Sequence, residues 1–181
     1  MKSRMKELKN YFKSKEFVIS MIIISLLSIF NIISYYSSGY PHRGLTGNAN
    51  CFGFWNYVLH YNAGSALMFI SPFIISFLVL NGSYNKLSGS YFKNALLRNN
   101  YKKEIKKELH MAYLKAWLPF LINSLVVFAI GYIYLEHNIV FTEYSNQYFE
   151  FDYAKTMNPY MFVFLYNISL FLYTTMIVNI S

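Results

Sequence analysis

Residues 82–116 read GSYNKLSGSYFKNALLRNNYKKEIKKELHMAYLKA, a basic stretch held between two long apolar runs. It contains eight of the sixteen Lys and Arg residues of the chain. Basic residues gathered beside apolar segments of bilayer length fix the side of the membrane on which a loop lies. The neighbouring segments take their sides from this one.

Composition agrees with a membrane class: the chain is 55% hydrophobic, 20% aromatic and only 13% charged, with its charges bunched. The net charge of +8 does not point to nucleic acid, because the basic residues flank apolar runs instead of covering a soluble face. Cys51 is the single cysteine, which excludes an internal disulfide and a cysteine-paired metal site. It reads as an incidental buried thiol.

Upstream, residues 1–16, MKSRMKELKNYFKSKE, carry six basic residues, and Met1, Met5, Leu8 and Phe12 fall on one helical stripe. This predicts a cytoplasmic amphipathic helix lying at the interface, its lysines near anionic headgroups. The alternative is a solvated basic tail. Residues 17–36 form an uncharged apolar run of twenty residues, enough at about 1.5 Å per residue to cross a hydrocarbon core of ~30 Å. A cleaved signal peptide is the competing reading, against which stands the length of the run. Residues 37–62 hold Gly39, Gly44, Gly47, Gly53 and Pro41 and read as an extracellular loop. Phe54, Trp55, Tyr57 and Tyr61 within it read as an aromatic belt at headgroup level. Residues 63–80 are the second predicted span, interrupted by Pro72, whose freed backbone carbonyl Ser71 and Ser76 are placed to satisfy.

The basic loop, 81–115, divides into two helical pieces: a short one over 91–98 capped by Ser90, and another from Tyr101 with Tyr101, Ile105, Leu109 and Ala112 on one stripe. The second is expected to slide along the membrane surface, anchored there by Lys102, Lys103, Lys106 and Lys107. Residues 116–135 are the third span, with Pro119 in its first turn. Residues 136–159 form an acidic, aromatic extracellular loop whose alternation in FTEYSNQYFEFDY suggests a hairpin, and 160–181 are the fourth span.

Fourteen of the basic residues fall before the first span and in the 82–116 loop, and two in the other loops. By the positive-inside rule the N-terminus and the basic loop are cytoplasmic. The fold class is therefore all-α: a polytopic helical membrane protein of the plasma membrane with four predicted transmembrane helices and a cytoplasmic N-terminus. The fourth span reaches Ser181 without a basic flank, so the expectation is either a truncated six-helix permease or a last helix that ends at the inner surface.

Several chemistries have no signature here. The chain contains no GxxxxGK[ST], HExxH or GxSxG, and its predicted spans carry no formal charge. His42, His60, His110 and His137 are scattered over segments on both predicted sides and read as ordinary surface or interfacial histidines, so no metal, cofactor or catalytic site is expected. The NxS matches at Asn81, Asn167 and Asn179 are chance matches.

The run SGSYFKNALLRNNYKKEIKKEL, together with the order of amphipathic helix, span, outer loop, span, long inner loop and span, resembles the permease subunit of an ABC transporter of the type 2 exporter class. The resemblance implies that Phe92, Lys93, Leu96, Leu97 and Arg98 form a docking element for a separate ATP-binding subunit. It further implies that 1–16 is a connecting helix and that a second permease subunit, identical or different, completes the transporter. Gly89 keeps part of the family pattern, whereas no acid lies between Gly82 and Leu97, and the family has six spans where this chain has four. The expected function is ATP-driven export of an amphipathic peptide, drug or lipid-like substrate, with no enzyme activity of its own. The alternative is a small non-transporting membrane protein, such as an immunity or sensor partner, whose basic loop binds anionic membrane lipids.

Overall fold

The computed structural model describes residues 8–37, 51–60, 63–87, 101–135 and 159–180. The short helix expected over 91–98, the hairpin expected in 141–153 and residues 1–7 of the N-terminal stripe lie outside them. Among the described residues all regular structure is helical: α1 (Lys15–Ser37), α2 (Cys51–His60), α3 (Ala63–Leu87), α4 (Tyr101–Tyr134) and α5 (Pro159–Ile180).

The helix expected to run to residue 16 instead ends after a helical turn at 8–11, and residues 12–14 form a turn closed by Lys13 N–H to Asn10 (3.2 Å) and Ser14 N–H to Tyr11 (2.9 Å). The cause is Ser14, whose Oγ accepts the Phe17 N–H at 3.2 Å and so caps α1. Glu16 in the first turn of α1 adds a favourable dipole interaction.

Among the described residues, three helices are long and apolar enough to cross a membrane: Lys15–Ser37, Glu108–Tyr134 and Val163–Ile180. On the first and last of them, polar side chains lie in the buried seams among apolar ones, and the outward faces are mostly apolar. On α1 the buried positions are Phe17, Ser20, Ile24, Ser28, Asn31 and Tyr35, a 3–4 spacing that defines one seam. Leu26 (61% exposed), Phe30 and Ile33 face outward. On α5, Val163, Asn167, Leu170, Thr174 and Val178 are buried, while Phe164, Leu172 and Met176 are exposed. Seams that mix polar with apolar side chains, under outward faces that are mostly apolar, suit a hydrocarbon solvent, where burial of carbon gives no drive to association but close packing and helix-to-helix hydrogen bonds do.

Residues 37–62 do not remain loop throughout. CFGFWNYVLH forms α2, and Phe54 and Trp55 are fully buried instead of lying in an interfacial belt. As α1 advances from Asn31 to Tyr35 its partners on α2 recede from Val58 to Phe54, so the two helices are antiparallel. α2 belongs to one apolar core with Tyr35, Val127 and Val163, whereas Ile74, Ile75, Leu78 and Val79 of α3 belong to another with Phe17, Ile24, Ala116 and Leu170. The cores stack along the bundle, and α2 and α3 succeed one another between them. α3 has 25 residues, about 37 Å, and carries the uncharged run 63–80 of eighteen residues, close to the length of a bilayer core of ~30 Å.

The basic segment from Tyr101 does not turn aside before the third span. It continues as one helix to Tyr134, 34 residues in all. Lys, Glu, Leu, Met and Ala favour helix, and no Gly or Pro intervenes before Pro119. Pro119 therefore sits inside a helix and not in a first turn. α4 and α5 run antiparallel, as the contacts Tyr113–Asn179, Trp117–Phe171 and Phe128–Tyr160 show.

Candidate functional site

The helix seams meet in a set of interior hydrogen bonds. Ser28 Oγ donates to Asn123 Oδ1 at 3.0 Å, joining α1 to α4. Asn31 Nδ2, fully buried, donates to the Val58 carbonyl at 2.7 Å and ties α1 to α2. Trp55 Nε1 approaches both the Ser124 carbonyl (3.2 Å) and its Oγ (3.3 Å), and Trp117 Nε1 donates to the Asn167 carbonyl at 3.3 Å. Each bond joins two elements, so together they fix the register of the bundle.

Two further contacts arise from the prolines. Proline has no N–H, so each one leaves the carbonyl four residues earlier without its helical partner. For Pro72 that carbonyl belongs to Met68. Ser71 Oγ donates to it at 2.8 Å and Tyr173 Oη from α5 at 3.2 Å, with the two hydroxyls 2.9 Å apart. For Pro119 the carbonyl is that of Lys115, and Tyr11 Oη donates to it at 2.6 Å from the N-terminal turn. Tyr11 is buried, stacked edge-on against Phe17 at 5.0 Å, with Lys115 Nζ 5.9 Å from its ring centre. Burial, aided by Glu16, raises its hydroxyl pKa well above the usual value, so Tyr11 stays a donor across the neutral and alkaline range.

Where α2 and α3 succeed one another, Leu59, Met68, Ser71, Asn123, Ser124 and Thr174 border a cavity of about 20 Å³. Its wall is mostly carbon, because the hydroxyl and amide groups around it are turned toward one another and toward carbonyls. The space is that of about one water molecule. Hydroxyls and amides there can hold a register but supply no acid or base near neutral pH. Among the described residues no group of three or more His, Cys, Asp and Glu gathers. Ser20 Oγ and Asn167 Oδ1 are buried without a hydrogen-bond partner.

No known family, curated protein or solved structure matches this chain.

Of the residues singled out from the sequence, Phe92, Lys93, Leu96, Leu97 and Arg98 lie outside the described residues. Lys102, Lys103, Lys106 and Lys107 fall in the first two turns of α4, on positions that share one side of the helix. Lys106 is exposed, and its carbonyl lies 2.6 Å from His110 Nδ1. Ser71 donates to the Met68 carbonyl that Pro72 frees, as its position suggested. Tyr11, Tyr173, Asn31 and Asn123 escaped sequence reading. The signal for the asparagines was present: polar residues recurring at 3–4 spacing inside apolar runs mark the interior face of a membrane helix. For the tyrosines no local signal exists, since each serves a proline about a hundred residues away.

Proposed function

We propose that this chain is a membrane-spanning subunit of an ATP-driven transporter, powered by a separate ATPase chain that docks on the 82–116 loop. The observation that supports this reading most is the continuity of α4. Its 34 residues, about 51 Å long, begin at Tyr101, directly after the candidate docking element 91–98, and pass through the whole bundle. A displacement at the base of such a rod reaches the opposite end without an intervening joint other than Pro119. In this reading the chain crosses the plasma membrane four times, the second crossing being made by the 63–80 part of α3. Its N-terminus and basic loop face the cytoplasm, and Lys102, Lys103, Lys106 and Lys107 lie near anionic headgroups.

The cavity of about 20 Å³ is far below the ~300 Å³ of a small-molecule pocket. In this reading cargo passes between this subunit and a second permease subunit, identical or different, and the uncharged predicted spans suit an amphipathic peptide, a drug or a lipid-like molecule. The same closed interior favours one other reading, a non-transporting membrane protein whose basic loop holds anionic lipid.

Affinity purification in mild detergent separates the two. The transporter reading expects an ATPase to co-purify, and Leu96→Glu or Leu97→Glu to abolish that association while membrane insertion persists. Retention of no ATPase by the folded wild-type chain contradicts it. Anionic lipid whose retention falls with each lysine neutralised, and not with Leu96→Glu, supports the other reading.

A further inference from the structure

We propose that the outward face of α1 is a binding site for one anionic phospholipid of the cytoplasmic leaflet, with an acyl chain along Val18, Ile22, Ser25 and Ile29 and the phosphate held by Lys15. Lys15 heads the stripe that these residues form: positions 15, 18, 22, 25 and 29 recur at three- and four-residue steps and share one side of the helix. Val18, Ile22 and Ile29 are exposed, and so is Lys15. Along the stripe runs an open groove of about 460 Å³, bordered also by Phe17, Met21 and Leu26. Ser25 is the one small side chain in its lining.

Length and charge identify the occupant. From Phe17 to Ile29 the groove covers about 18 Å, against ~15 Å for half of a hydrocarbon core. It therefore reaches from the basic end of α1 to about mid-membrane, the depth to which the chains of a single leaflet extend. At its basic end the turn at 12–14 leaves Lys13 exposed ahead of Lys15, whereas Glu16 falls on the other side of the helix. The groove is thus headed by positive charge at the level of a phosphate and is uncharged along the length a chain would cover. A second copy of this chain suits the face less well. Two copies inserted the same way are related by an axis along the membrane normal, so residues at one depth meet their own counterparts. Lys13 and Lys15 would then approach Lys13 and Lys15, like charge against like.

The site needs α1 to span the membrane and needs no ATPase, so its test is independent of the transporter reading. The full-length chain is reconstituted in vesicles of phosphatidylcholine and phosphatidylglycerol in equal parts, with one or the other lipid brominated on its chains. A bimane at Ile19→Cys, in a Cys51→Ala background, sits beside the stripe without lining the groove, and a bimane at Leu172→Cys on the exposed face of α5 serves as the reference. Bromine quenches on contact, so the two vesicles together give the preference for phosphatidylglycerol at each position. That preference is expected to be about fivefold or more greater at Ile19 than at Leu172, and Lys15→Gln to reduce it about fivefold, the effect of one lysine beside an anionic surface. Ser25→Phe fills the groove, leaves both lysines in place and should lower the preference as well. Equal preference at the two positions overturns the proposal. So does a preference that Ser25→Phe leaves unchanged, which would mean a basic patch with no seat for a chain, and so does exclusion of both brominated lipids from Ile19, the mark of a second copy on this face.

Discussion

Gly131 shows how a single residue sets a packing distance. A Cβ there would meet Phe54 Cδ1 at 2.8 Å and the Cys51 carbonyl oxygen at 3.2 Å. Phe54 cannot swing aside, because it is fully buried and stacked edge-on against Tyr35 at 5.1 Å, and a backbone oxygen has nowhere to go. Gly131→Ala should destabilise the bundle by about 1–3 kcal/mol, the usual cost of overpacking, read as a lower midpoint in unfolding from mild detergent into a denaturing one. Tyr11 gives a pH dependence at the same scale. Its pKa is raised in the fold above an unfolded value near 10, so its neutral form contributes stability fully below pH 10, and that contribution is lost as pH rises above it. Wild-type protein should lose stability on alkaline titration beyond pH 10, and Tyr11→Phe should lose less over the same window, measured by the same unfolding assay.

At the scale of elements, α1 carries a prediction opposite to that for a soluble helix. Leu26→Lys on its exposed face should impair insertion by about 2.5–3.5 kcal/mol, the penalty for a charge at mid-membrane. Ser20→Ala on its buried face should be neutral or stabilising, because Ser20 Oγ has no partner to lose. An insertion assay with both variants checks the pair. Elements also show what could be read in advance. The long apolar runs were legible because a bilayer demands about twenty apolar residues in succession, and the observed α1 extends one or two residues beyond each end of 17–36. α2 was not legible. CFGFWNYVLH has ten residues, an internal glycine and mixed polarity, and its burial depends on Asn31, Gly131 and Ser124, all distant in sequence. Pro119 was misplaced for a different reason: the apolar run starts near 116, but the helix starts at 101, and a change in polarity is not a helix end. In the N-terminal turn the stripe containing Phe12 reads as the membrane-facing side, and what the sequence does not signal is that Tyr11 packs inward, its hydroxyl donating to the Lys115 carbonyl.

Over the whole molecule, the helices pass along the bundle in alternating directions, α1 one way, α2 and α3 back, α4 out and α5 back. The two stacked cores make this succession visible, one holding α2 and the other α3. The arrangement agrees with the charge asymmetry: residue 9 before α1 and residue 106 on α4 fall at the same end, as the contact of Tyr11 with Lys115 requires. Cysteine accessibility in intact cells and inverted membranes tests this directly. In a Cys51→Ala background, single cysteines at Lys9 and Lys106 should react with a membrane-impermeant thiol reagent only from the cytoplasmic side, and cysteines at Gly47 and Glu143 only from the other. Labelling of Lys106→Cys from the side opposite to Lys9→Cys would mean that α3 makes no crossing, and would contradict the account.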